Sequence, residues 1–241
     1  MRSRQENFCD YTDFITACHR RRYQFVRMSF DSLDVVSAPD TSSSLDESRE
    51  GATSSQLLLE PGILDREITK EVFDILNNTF TEVCDVIGTF RESVYPWLPI
   101  ICITEFKEQV ASLQQDPVAE IATLLLATYL VNQISTPRQF WSRNVEGCTV
   151  LNMLLSTCRR FFTILQLDRK ERLETIQSGI LLSVLELYSG FFDEASLTIT
   201  TCARVGIKIG LQHIYAMETQ PYSELEMTKR NMWCSMFMLD R

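Results

Sequence analysis

This chain has almost no histidine: His19 and His213 are the whole supply among 241 residues. That leaves little for imidazole chemistry, and no H-E-x-x-H pattern is present. Glycine is scarce too, at eight positions. Loops that cradle phosphates need several glycines at fixed spacing, and neither a P-loop nor a G-x-S-x-G elbow occurs. The eight cysteines, Cys9, Cys18, Cys84, Cys102, Cys148, Cys158, Cys202 and Cys234, include no C-x-x-C pair. A zinc site built on local cysteine pairs is therefore missing. Their scatter through apolar helical patterns suits reduced, buried thiols better than a disulfide framework. The first thirty residues hold no apolar signal-peptide core. The longest apolar segment, about Val118 to Val131, is interrupted by Glu120 and too short to cross a bilayer. Positive charge is also short, with 23 Lys and Arg against 32 Asp and Glu, for a net charge of −9. A surface built to grip nucleic acid is normally basic. These absences lead us to expect a soluble intracellular protein, in which the sequon Asn77-Asn78-Thr79 carries no meaning.

What the chain does have is helical periodicity. Its 45 % hydrophobic and 23 % charged residues are ordinary for a globular protein. Residues 1–62 read as a poorly ordered lead-in. It is basic around His19-Arg20-Arg21-Arg22 and acidic from 31 to 60, where seven Asp and Glu face one Arg. Such composition buries too little to offset the entropy of ordering. The basic triplet reads as a solvated charge run, and the acidic stretch as a linker.

From Asp65 onward Ile68, Val72, Ile75, Leu76, Phe80, Val83, Ile87 and Phe90 keep one helical period, which predicts a single long helix. Pro96 and Pro99 then forbid a helix, so Phe90 to Phe106 reads as an apolar crossing. Thr104 is placed to cap a short helix carrying Phe106, Val110 and Leu113. Asp116-Pro117 signals another start. The segment Val118 to Ser135 is apolar nearly all round and is assigned to the deep core. Pro137 ends it, and a further helix runs from about Asn144 past Leu165, with Arg159 and Arg160 at its edge.

Three helices close the chain. One spans Glu174 to Tyr188 and stops at Ser189-Gly190. The next follows Phe191-Phe192, starts with help from Asp193 and stops at Gly210. The last opens at Ser223, where Glu226 completes a capping box, and presents Met232, Trp233, Met236 and Phe237.

Chemistry finds little purchase on this pattern. Nothing in the spacing brings His213 to Cys202 or Cys234. Asp193-Glu194 and Glu224 with Glu226 sit at helix starts, where the dipole favours carboxylates. Gly206 and Gly210 read as close packing or a helix end, and Trp233, Met236 and Phe237 as core. The reading assigns no catalytic, no cofactor-binding and no metal-ligating residue, and expects no enzyme.

Two stretches carry a resemblance. The first is Phe90, Val94, Pro96, Pro99, Ile100 and Phe106, with Tyr95 where a histidine is usual. The second runs through Thr175-Ile176-Gln177, Gly190-Phe191-Phe192, Ala203-Arg204, Gly210-Leu211-Gln212-His213, Glu224 to Trp233 and Leu239-Asp240-Arg241. Together they resemble the regulatory "middle homology" domain of fungal-specific transcription factors, most of which bind DNA through a zinc binuclear cluster. Lys229-Arg230 and Trp233-Cys234 stand where that family often has an arginine run and a tryptophan pair. The segment Ala17 to Arg22 echoes the basic part of a zinc cluster, but the further cysteines are missing and we assign no metal there.

The resemblance, over roughly residues 86–241, implies an all-α, multi-helix bundle of antiparallel helices. It divides the chain into a lead-in at 1–62 and a regulatory domain at 63–241 that is incomplete at its C-terminus. It implies a nuclear protein that modulates RNA polymerase II transcription in response to a small-molecule inducer or protein partners. A dimer is among the assemblies it allows, there is no membrane role, and DNA is reached only indirectly or through a missing domain. No cofactor is expected in this chain, zinc belonging only to an absent N-terminal cluster. Arg230 and Asp240 would form an internal architectural pair. Helix 223–241 would lack some packing partners and leave apolar surface exposed, which leads to the expectation of a marginally stable or partner-dependent fold.

The alternative is a helical-repeat adaptor, since Gly190, Phe192 and Ala195 match the corner of a tetratricopeptide unit. No second copy stands near a 34-residue period. An all-helical enzyme such as a terpenoid synthase would need Asp-rich metal motifs, and none is present.

Overall fold

A computed structural model describes residues 62–135, 145–167, 172–216 and 223–240. The described chain is all-α. Its helices are α1 (Ile63–Asn78), α2 (Val83–Ser93), α3 (Ile103–Ser112), α4 (Ala119–Ser135), α5 (Val145–Leu167), α6 (Leu173–Tyr188), α7 (Phe192–Lys208) and α8 (Glu224–Leu239). A 3₁₀ turn at Leu211–Ala216 follows α7. Residues 1–61 of the expected lead-in at 1–62, together with Pro137 and Asn144, lie outside the described residues.

The fold is organised around α4, which packs against α1, α2, α3, α5 and α6. Every residue from Ala119 to Asn132 is buried, as a helix apolar nearly all round requires. Its polar residues are accommodated by hydrogen bonds. The Thr123 and Thr128 hydroxyls donate to the carbonyls of Ala119 and Leu124. Asn132 Nδ2 donates to the Val86 carbonyl at 2.7 Å. Buried Glu120 meets Arg172 at 3.2 Å. α6 and α7 form an antiparallel pair turned at Gly190, whose φ of 81° suits a residue without a Cβ. α8 lies across α6, α7 and the 3₁₀ turn.

Several local expectations are corrected. The single helix from Asp65 to Phe90 is two helices. Thr79 breaks it: its hydroxyl and N–H both bond back to the Ile75 and Leu76 carbonyls. Phe80 takes a φ of 52° and stands 96 % exposed instead of joining the core. The cap of α3 is Cys102, without a side-chain bond, and not Thr104. α4 begins at Ala119, so Asp116 is too far upstream to close its first turn. The Ala119 N–H instead donates to Asp65 Oδ1 on α1 at 2.9 Å.

The capping box at Ser223 and Glu226 is present in both directions. Their reciprocal bonds hold the Glu226 carboxyl below the usual carboxylate value. Gly206 is a close-approach site, facing Met236 and Trp233 of α8. α8 buries Met232 and Met236 and leaves apolar surface open at Leu225 and at Phe237, which is 54 % exposed beside Trp233.

Candidate functional site

Two places gather polar side chains in the interior. The first is the crossing between α2 and α3. Val94 and Leu98 still bond back four residues, to Phe90 and Val94, but around Pro99 the chain leaves helical hydrogen bonding and its carbonyls need other donors. Side chains from distant helices supply them. Gln177 Nε2 of α6 donates to the Ile100 carbonyl at 2.7 Å, and Asn231 Nδ2 of α8 donates to the Pro99 carbonyl at 3.1 Å. The two stretches that carry the family resemblance are thus joined to each other in one seam.

Beside this seam lies a cleft bounded by the first turns of α3, α6 and α8, with Cys102, Glu105, Gln109, Glu174, Gln177 and Thr228 on its walls. Its room is about 30 Å³, enough for about two waters. Gln109 Nε2 donates to Glu174 Oε1 across it at 3.3 Å. Burial raises the Cys102 thiol and the Tyr95 hydroxyl, and the nearby Glu224 carboxylate raises both further. A thiol held in its neutral form is a weak nucleophile.

The second place is the junction of α5, α6 and α7. Arg159 Nε meets Glu186 Oε1 at 2.6 Å, with Glu186 1 % and Arg159 29 % exposed. The guanidinium lies over the Phe191 ring, 4.7 Å from its centroid, a favourable cation–π position. Burial pushes the Glu186 carboxyl above the ordinary value, while Arg159 and the neighbouring Thr198 pull it back. Farther along the same seam the three helices come into close contact. A Cβ built on Gly179 would fall within 2.2 Å of Cys202 Sγ and 2.7 Å of Phe162. Burial also pushes the thiols up, Cys158 to about 12 and Cys202 beyond it. These are packing groups.

The residues singled out in the sequence fall as follows. His213 is exposed and its ring nitrogen pairs with the Gln212 amide at 3.1 Å, whereas Cys202 Sγ points to the Ile176 carbonyl. Asp193 and Glu194 stand in the first turn of α7, and Glu224 and Glu226 in that of α8. Asp240 is exposed, so it forms no buried pair with Arg230; the carboxylates buried against an arginine are Glu186, with Arg159, and Glu120, with Arg172. Gly190 and Ala195 occupy the α6–α7 corner, with Ala195 buried and Phe192 exposed.

Sequence reading missed the Arg159–Glu186 pair, although a signal existed. Glu186 is the one charged residue between Thr175 and Phe192, and a lone charge in an apolar helix needs a partner. Among the described residues no group of three or more His, Cys, Asp or Glu is placed to hold a metal ion. No described helix is long and apolar enough to cross a membrane. No family model, curated protein or solved structure matches this chain.

Proposed function

We propose that this chain is the helical regulatory domain of a fungal transcription factor, which modulates RNA polymerase II transcription in the nucleus without enzymatic chemistry of its own. The seam carries this reading. The proline crossing and the helices from Thr175 onward resemble that family separately, and here the Pro99 and Ile100 carbonyls are held by Asn231 and Gln177. Such a seam couples the first half of the bundle to the last helix, so a partner protein or small effector that favours one packing changes what the other end presents. DNA contact belongs to another domain, in keeping with the net charge of −9. Zinc belongs to that domain as well.

The test is to fuse the full chain to a heterologous DNA-binding domain in a fungal strain and read a reporter gene bearing the matching sites. Reporter output should move up or down relative to the DNA-binding domain alone. Unchanged output from a fusion that accumulates in the nucleus would defeat the proposal. Reporter-silent binding to other helical proteins would favour the adaptor instead.

A further inference from the structure

A guanidinium approached from its Nε side offers two parallel donors, Nε–H and Nη2–H, to the two oxygens of a carboxylate. At the α5–α6 junction Nε of Arg159 reaches Oε1 of Glu186 at 2.6 Å. Nη2 and Oε2 are both buried and, among the described residues, have no hydrogen-bond partner. One prong of the fork is closed and the other is open. Thr198 on α7 lies by the same carboxylate and favours its charged form, yet stops short of a hydrogen bond to Oε2. A buried ion pair offsets its desolvation only when its remaining donors and acceptors are satisfied. This one is half satisfied, so it stands near balance.

The two partners are also unequal. Glu186 is 1 % exposed and cannot reach water, whereas Arg159, at 29 %, can. The pair therefore parts when the carboxylate gains a proton and the guanidinium leaves for solvent. Among the described residues, the charged and titratable groups that face Glu186 are Arg159 and Cys158 from α5 and Glu194 and Cys202 from α7; α4 and α8 bring none to it. Burial and Glu194 favour the proton, and Arg159 and Thr198 oppose it.

The lever is built in. α5 packs on α4 and α6, and one turn beyond Arg159 its Phe162 is packed tightly against Gly179, beside Cys202. We propose that Glu186 is a proton-controlled latch: ionised, it grips Arg159 and pins the N-terminal half of α5 to α6; protonated, it frees that half, which hinges at the Phe162–Gly179 contact. The inference goes beyond the regulatory reading and stands without it.

Hydrogen exchange of the full chain, read by mass spectrometry and corrected for intrinsic rates, tests the latch. Between about pH 7 and the ordinary carboxylate value of 4.5, amides of residues 150–158 should lose protection, by about tenfold for each pKa unit by which the released carboxyl holds its proton more tightly than the paired one. Those of residues 161–166 and of α6 should stay put. Glu186→Gln should give the low protection at every pH. Joint Arg159→Met and Glu186→Met replacement should give high protection at every pH, because an apolar contact has nothing to titrate. Equal protection of 150–158 at both pH limits in the wild type would overturn the proposal. So would a Glu186→Gln protein with the wild-type profile. If Glu186→Gln fails to fold, the wild-type series and the double replacement still decide.

Discussion

Burying a carboxylate is costlier than burying the same group with its proton on, and Glu186 shows the cost at the level of one residue. Burial, the largest influence, and Glu194 raise it above 4.5, and Arg159 and Thr198 undo only part of that rise. The folded chain therefore holds this proton more tightly than the unfolded chain. A group of that kind contributes stability that is full below its unfolded value and is lost as pH rises through its folded one. The stability difference between wild type and Glu186→Gln, from urea denaturation of the full chain at a series of pH values, should therefore turn against the wild type as pH rises above about 4.5. A difference that stays level, or turns in favour of the wild type, would contradict the assignment. The contribution of Glu186 to global stability and the protection of α5 are then expected to run in opposite directions with pH, because the charge that tightens one seam destabilises the fold as a whole.

At the scale of elements, the α1–α2 corner departs most from local rules. An L-residue in the left-handed region costs about 1–2 kcal/mol, and Phe80 incurs this cost at a φ of 52° while fully in solvent. Replacing it by glycine removes the strain and adds some unfolded-state entropy, for a net gain of about 0.5–1 kcal/mol. Phe80→Ala should show no such gain, so comparing the two by thermal denaturation isolates the backbone effect.

This corner also marks what was legible in the sequence. The amphipathic runs revealed that helices exist and which faces they bury, because period and burial are local properties. The break was hidden because Phe80 sits at the right spacing after Leu76 to continue the apolar face, and nothing in that spacing reports Thr79 turning its hydroxyl onto the preceding carbonyls. Caps behaved the same way. The box at Ser223 and Glu226 spans three residues and was readable, whereas α4 takes its cap from Asp65. Gln177, Asn231 and the Arg159–Glu186 pair, the polar links of both interior sites, likewise join residues far apart in sequence.

For the whole molecule, the buried apolar cluster runs without interruption from Ile68 on α1 to Met236 on α8. Marginal, partner-dependent stability was the expectation from the sequence; a continuous core argues for the opposite. Heat should unfold the chain in one transition, with calorimetric and spectroscopic midpoints coinciding. Two separated transitions would mean that α8, or the α1–α3 group, melts on its own. Phe237 is the apolar residue of α8 most open to solvent. Its exposure belongs to the surface and leaves the core intact.

The Asp65 carboxylate on the Ala119 N–H has a consequence in time. The innermost helix cannot finish its own first turn; the group that closes it lies 54 residues upstream. On a ribosome, which delivers the N-terminal part of a chain first, α1 has already emerged when α4 appears. In a chain refolding from denaturant the same two ends must find each other by diffusion. Synthesis hands the protein an assembly order that dilution from urea does not.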